Sequence, residues 1–255
     1  MKIVLPQNIF SAIYSVLLPD EVKSSVFIKP ASMVAADLKN GSCDVALIPS
    51  LDLLKLEDVF VSDKFGISFD GLLSNSYLYF NKEQGSVIND LLLKGEVTTN
   101  EIILTPLLFA ELFGQKVNVI LDTQPEFKDD RNYIVSGLSN FDERHLFEKG
   151  ASFSDFVNEL INAPYVNFVF VSKNKEKLKE FNRLIKTPNE QLKAALLRVK
   201  KNTNLDDKVV GFIENNIDGL YFDLTEIEKS GLLELLKIPY YHGIIEDIIE
   251  LNFIN

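Results

Sequence analysis

The side chains in this sequence that could do chemistry are hydroxyls and amides, gathered in four short clusters. They are Gln7-Asn8 with Ser11, Ser50, Ser74-Asn75-Ser76, and Thr98-Thr99-Asn100. None is a strong base or a ready nucleophile. Such groups donate and accept hydrogen bonds, so they suit the gripping of carboxylates and hydroxyls. Orientation of a bound molecule lowers a reaction barrier by on the order of several kcal/mol without any protein base.

Other chemistries have little to stand on. The two histidines, His145 and His242, are far apart, and neither has a Cys or His partner at ligand spacing, so no metal site is expected. His145 sits in a charged stretch and reads as a solvated surface group. Cys43 is the single cysteine; it precedes an apolar strand and reads as an inert packing thiol. There is no Gly-x-Ser-x-Gly and no Ser-x-x-Lys. Gly66 and Gly71 stand alone, without a glycine-rich strand-to-helix loop, so no nucleotide cofactor is expected, nor any other. Lys173, Lys175, Lys177 and Lys179 are interrupted and followed by acids, and read as a solvated face.

Charge narrows the partners. The chain carries 37 acidic and 26 basic residues, a net charge of −11, which argues against nucleic acid because phosphate binding needs a basic face. An anionic ligand would therefore depend on local donors, meaning hydroxyls and helix N-termini. No apolar run reaches the roughly 18–20 residues that span a bilayer, so no membrane insertion is expected. Met1-Lys2-Ile3-Val4-Leu5 enters a strand directly, with no basic and apolar leader, and a cytoplasmic location is expected.

The clusters need elements to position them. Lys2–Leu5 reads as a strand, Pro6-Gln7-Asn8 as a turn, Ile9–Leu18 as a helix and Ser24–Lys29 as a second strand. Ser32 can cap a helix with Val34, Ala35 and Leu38 on one face, stopped by Gly41 in a left-handed conformation. Asp44–Ile48 is an apolar run of the kind covered on both faces. This strand–helix–strand unit aims Pro49-Ser50 at the crevice where open α/β sheets bind ligands. Gly66–Gly71 reads as a loop. Leu73–Asn81 alternates like a strand, with an exposed edge near Tyr77–Phe80 that could pair with a second copy.

Beyond Asn81 the texture changes. Residues 82–86 are polar and turn-like, Val87–Leu93 and Glu101–Phe113 read as helical, and Val117–Leu121 and Tyr133–Val135 as strands. Thr98 and Thr99 precede the Glu101 helix, whose free backbone N–H groups could cradle a carboxylate. Ser152 with Asp155 starts a helix running to Ile161, and Val166–Ser172 is a further strand. Thr187-Pro188-Asn189-Glu190 and Thr225–Glu228 each carry a helix-start pattern. The expectation is an α/β fold of two lobes: residues 1–81 plus 163–255 in the first and 82–162 in the second. Two strand-like crossings, near Tyr77–Asn81 and Asn162–Ser172, join them, and a ligand sits between.

The stretch Gly41–Ser50, GSCDVALIPS, resembles the GxxDVALIPS stretch of the chorismate dehydratase-like family of the futalosine route to menaquinone. Pro30–Leu38 is similar to the preceding helix of that family. Asp63–Phe80 resembles its GPVxSV segment, and Tyr221–Leu232 its terminal YxLxxxExxGL helix. The resemblance implies a type II periplasmic-binding-protein fold. It also implies elimination of water from chorismate or a related small carboxylate. Asn8 and Ser11 would lie near the leaving hydroxyl, and Ser50, Ser74, Ser76, Thr99 and Asn100 would hold the substrate. The sequence departs from the family at three places. Phe10 stands where the family's SYLNT turn has its asparagine, two residues from Asn8. Leu72 and Asn75 replace the proline and serine of GPVxSV, and Gly137 replaces the aspartate of an IGD loop.

Two functions follow. One is a dehydratase of that route. The other is a non-catalytic intracellular protein of the same fold that binds or senses a small carboxylate, with lobe closure as its readout. Phe10 favours the second.

Overall fold

The structure, a computed structural model, describes residues 1–255 except 82–86, 125, 129, 143 and 204. Three apolar runs, β1 (Ile3–Pro6), β3 (Val45–Pro49) and β10 (Tyr165–Ser172), are buried along their whole length. Strands covered on both faces carry such runs because neither face can be polar. They form the centre of a seven-stranded sheet.

In chain order the elements are as follows. After β1 come α1 (Ile9–Ser15), α2 (Asp20–Lys23), β2 (Val26–Lys29) and α3 (Ala31–Lys39). Beyond β3 come β4 (Phe60–Phe69), β5 (Ser76–Tyr79), β6 (Asp90–Gly95) and α4 (Thr99–Phe113). Then follow β7 (Asn118–Leu121), β8 (Tyr133–Ser136), β9 (Ala151–Ser152) and α5 (Phe153–Ile161). After β10 come α6 (Lys175–Phe181), α7 (Leu192–Asn202), α8 (Asp207–Asn215), β11 (Leu220–Asp223), α9 (Glu226–Tyr241) and β12 (Asn252–Ile254).

The first sheet has the order β11-β4-β10-β3-β1-β2, with β12 pairing β4. β1, β2 and β3 are parallel, and β10 runs antiparallel to both β3 and β4. Its side chains alternate between two cores. Ile3, Leu5, Leu47, Phe168 and Phe170 point to a layer with α1, α6, α7 and α8. Val4, Ala46, Ile48, Val169 and Val171 point to a layer with α3 and α9. The second sheet has the order β7-β6-β8-β5-β9, with β6, β7 and β8 parallel. α4 and α5 cover it, and its Leu91, Leu93 and Ile134 join the second core. Leu73, Tyr77, Phe141 and Phe147 join the first. Both cores therefore run unbroken from one lobe into the other.

The fold is α/β with two lobes, one per sheet, and the chain crosses between them twice. The outward crossing differs from the expected one. β5 pairs with β8 along its length and with β9 at Tyr77 and Leu78, so these two residues lie inside the second sheet and offer no open edge. The outward crossing is the loop between β4 and β5, and the return lies at residues 162–164, between α5 and β10, at the start of the expected second crossing. Cross-strand pairing decided this, since an alternating strand fits the end of either sheet.

Other local expectations give way for similar reasons. Residues near Val87–Leu93 contribute a strand, β6, because Leu91 and Leu93 are buried while Asp90 and Leu92 are half-buried, and β7 and β8 flank it. Gly66 lies within β4, where a Cβ would stand 2.7 Å from the Phe168 carbonyl oxygen; glycine there marks close strand approach. Ser32 lies inside α3, whose N-cap is Pro30. Thr187 adopts a left-handed φ of 46°, and the helix begins only at Leu192. The turn expected at 82–86 lies outside the described residues. Among the described residues no helix is long and apolar enough to cross a membrane.

Candidate functional site

The C-terminal ends of the parallel strands in the two sheets face one another. On the first lobe these ends lead into Asn8 and Ser11 after β1, into Ala31 after β2 and into Ser50 after β3. On the second lobe β6 leads into Glu96–Glu101, and β8 into Gly137–Asn140. In open α/β sheets this is the end of the strands at which ligands are held. The residues on both sides are polar and nearly all buried, including Asn8, Ser11, Ser50, Ser74, Asn75, Ser76, Asn100, Glu101, Ser136 and Asn140.

Direct hydrogen bonds tie the lobes together. Asn100 Oδ1 accepts from the Leu51 N–H at 2.9 Å, and Asn100 Nδ2 donates to the Asn167 carbonyl at 2.8 Å. Thr99 Oγ1 donates to the Asp52 carboxylate. The Ala31 N–H, at the start of α3, donates to Glu96 at 3.3 Å. Ser50 Oγ donates to the Val166 carbonyl at 2.6 Å, fixing the end of β3 against β10. Asn100, Thr99 and Ser50, expected to hold substrate, are thus engaged within the chain.

Ser74 and Ser76 form a second network. Ser74 Oγ accepts from the Ser76 N–H at 3.1 Å and from the Ser154 hydroxyl at 2.8 Å. Ser76 Oγ donates to Glu101 at 2.6 Å and lies 2.9 Å from Ser136 Oγ. Glu101 is fully buried and closes a capping box on α4. It accepts from the Thr98 N–H at 2.8 Å and from Thr98 Oγ1 at 2.6 Å, while Thr98 Oγ1 accepts from the Asn100 N–H at 3.2 Å. The N–H groups expected to cradle a carboxylate are therefore largely taken from within. Burial pushes the Glu101 carboxyl above its usual range, against the pull of Ser76 and Thr98. Burial likewise raises Asp52, opposed by Thr99.

Asn8 and Ser11 are different. Asn8 caps α1, accepting from the Ser11 N–H at 2.7 Å. Its Nδ2 and the Ser11 Oγ are buried without a partner, as are Asn75 Oδ1 and Asn167 Oδ1. A buried donor left unmade is costly, so pairs of them one helical turn apart call for an explanation. Between Asn8 and Ser11, Phe10 is fully buried. Its ring meets Phe69 at 4.7 Å and Phe141 at 5.9 Å, and Phe141 stacks on Phe147 at 5.7 Å. Phe10 and Phe69 belong to the first lobe, Phe141 and Phe147 to the second.

Gly137 supplies a further detail. Its φ is +77°, and a Cβ there would stand 2.7 Å from Glu96 Cβ. An aspartate side chain has no room at this position, because the stem of Glu96 fills it.

Sequence reasoning missed Glu96, Glu101, Asp52 and Asn140. For Glu101 the signal was present: Thr98-x-x-Glu101 is a capping box. Asn140 had none, since its amide acts only after the chain folds back. Its Nδ2 donates to the Val135 carbonyl at 2.8 Å, and its Oδ1 accepts from Tyr79 at 2.8 Å. Among the described residues no group of three or more His, Cys, Asp or Glu could hold a metal ion. His145 is more enclosed than expected, with its Nε2 3.1 Å from Asp206 and its ring 6.0 Å from Phe147.

No family model matches the sequence. No curated protein matches it either. Solved structures do match, at low identity. An ABC transporter protein from Parabacteroides distasonis gives a TM-score of 0.65 at 13% identity, over 100% of this chain and 98% of the other. The ligand-binding component of an ABC-type import system from Staphylococcus aureus, with zinc bound, gives 0.59 at 12% identity, over 100% and 96%. Protein AF1704 from Archaeoglobus fulgidus gives 0.58 at 11% identity, over 95% and 98%. What the chain shares with these structures is the fold, α/β in two lobes and periplasmic-binding-protein-like.

Proposed function

We propose that this chain binds a small carboxylate between its lobes and does so without catalysis. The observation that carries this reading is the pair of unpartnered donors, Asn8 Nδ2 and Ser11 Oγ, beside a fully buried Phe10. Two neutral donors one turn apart suit the two oxygens of one carboxylate. Asn75 Oδ1, on the outward crossing, is an acceptor for a ligand hydroxyl. Phe10 supplies an apolar wall and no proton-transfer group, and it occupies the position where the resembled family has an asparagine. Ser50, Ser74, Ser76, Thr99 and Asn100 support the cleft by holding its walls and do not reach for the ligand.

A second reading has one observation in its favour. The unpartnered donors belong to Asn8 and Ser11, the residues that a chorismate dehydratase would place near the leaving hydroxyl. Elimination of water from chorismate needs orientation more than a strong base.

One experiment separates the two. Purified protein is mixed with chorismate and followed by mass spectrometry for loss of one water, with thermal melting recorded against chorismate and a panel of small carboxylates. Stabilisation by a small monocarboxylate of the panel, without turnover of chorismate, is expected. Turnover that falls in Asn8→Ala would replace the binding reading with the dehydratase one. Neither turnover nor stabilisation would dismiss both.

A further inference from the structure

Two helix starts of useful length face the cleft, and each already holds a carboxylate of the chain. α3 begins at Ala31, whose N–H donates to Glu96 from the opposite lobe. α4 begins behind Thr98, and Glu101 takes the Thr98 N–H and hydroxyl. Helix starts attract anions because their N–H groups are unpaired and the helix dipole is positive there. Asp52 adds a third carboxylate at the same seam, bonded by Thr99. Among the described residues no Lys, Arg or His forms an ion pair with Asp52, Glu96 or Glu101, and the Lys55 charge acts on Asp52 from further off. Lys29 is paired with Asp37 and Lys94 with Asp122. The groups left unpartnered around the strand ends are neutral: Asn8 Nδ2, Ser11 Oγ and the side-chain Oδ1 atoms of Asn75 and Asn167.

We infer that Glu96 and Glu101 set the ligand class of the cleft: they occupy from within the places a second carboxylate would take, so the cleft admits monocarboxylates and rejects dicarboxylates. This rests on the reading of the cleft as the ligand site. Glu101 is an integral part of its helix start, buried and held by three bonds. Glu96 is the adjustable one. It is half-buried, its one described carboxylate bond crosses between the lobes, and Gly137 leaves the space through which its stem passes. A ligand with two carboxylates must place the second against this acidic seam, and like charges brought together in an interface oppose binding strongly.

The test uses matched pairs that differ by one carboxylate: acetate and malonate, lactate and malate, 3-hydroxybenzoate and 5-hydroxyisophthalate. Affinities are measured by calorimetry on the full chain and on Glu96→Gln, whose folding is checked by its melting curve. For any pair that binds, wild type is expected to favour the monocarboxylate by at least about tenfold, the mark of one like-charge contact. Glu96→Gln is expected to narrow that ratio by gaining affinity for the dicarboxylate. A wild-type ratio near one overturns the inference and leaves the cleft reading standing; this arm needs no variant. An unchanged ratio in folded Glu96→Gln overturns the role of Glu96. Binding by no member of any pair overturns the cleft reading together with the inference.

Discussion

Asn100 and Asn167 join the two lobes through one buried hydrogen bond, from the Asn100 amide to the Asn167 carbonyl at 2.8 Å. The same amide group accepts from the Leu51 N–H. One side chain on the second lobe thus satisfies two backbone groups on the first. Asn100→Ala would leave both buried and unpaired, at about 1–3 kcal/mol each. The expected loss is about 2–6 kcal/mol in urea denaturation. Equal stability of wild type and Asn100→Ala would show that the bond contributes nothing to closure.

Phe10 and Phe141 make the apolar part of the same closure. Phe10→Ala is expected to cost about 3–5 kcal/mol, as for other buried aromatic truncations. A double-mutant cycle with Phe141→Ala should return a coupling of about 0.5–1.5 kcal/mol for the edge-to-face pair. Additive losses would mean that the two rings do not meet in solution.

Gly137 is required by both its conformation and its neighbour. A Cβ at φ +77° is strained, and it would collide with Glu96. Gly137→Ala should destabilise the chain by at least about 1 kcal/mol. Gly41 also has a positive φ, but a Cβ there meets nothing within 4 Å. Gly41→Ala should therefore cost less, and thermal melting of the two variants checks the order.

The contribution of Glu101 to stability should fall as the pH rises through the acid range, opposite in sign to that of the lowered carboxyls of Asp20, Asp122, Asp142 and Asp206. The folded-state carboxyl of Glu101 is raised by burial, so the folded chain holds that proton more tightly than the unfolded chain does. This contribution is fully present below the unfolded value of about 4.3 and is lost as the pH passes the folded one. Asp52 and Asp223, also raised by burial, act in the same direction. The unfolding free energy of Glu101→Gln, minus that of wild type, should therefore grow between about pH 4 and pH 7. A flat difference would show that Glu101 titrates as an ordinary carboxylate.

Cys43 should react slowly. Burial, followed by the charge of Asp37, pushes its thiol up to about 11 from 9.0. Each unit lowers the thiolate fraction tenfold, so reaction with an aromatic disulfide near pH 8 should run on the order of a hundredfold below a free thiol. Rapid labelling of the native protein would contradict this.

Much of this fold is written locally. The buried runs of β1, β3 and β10 and the capping boxes at Thr98–Glu101 and Thr225–Glu228 depend on residues within one element or its ends. Periodicity and capping are short-range effects, so the sequence alone determined an α/β chain with two lobes and polar clusters at its strand ends. It did not determine which sheet received Tyr77–Tyr79, or that residues near Leu91 would form a strand. Those outcomes follow from which edges were available for pairing. Nor did it decide the state of the cleft. Asn100, Thr99 and Ser50 look like ligand donors until Leu51, Asp52, Val166 and Asn167 are brought beside them from distant parts of the chain. Only closure of the two lobes settles which polar groups meet a partner and which, like Asn8 Nδ2 and Ser11 Oγ, do not.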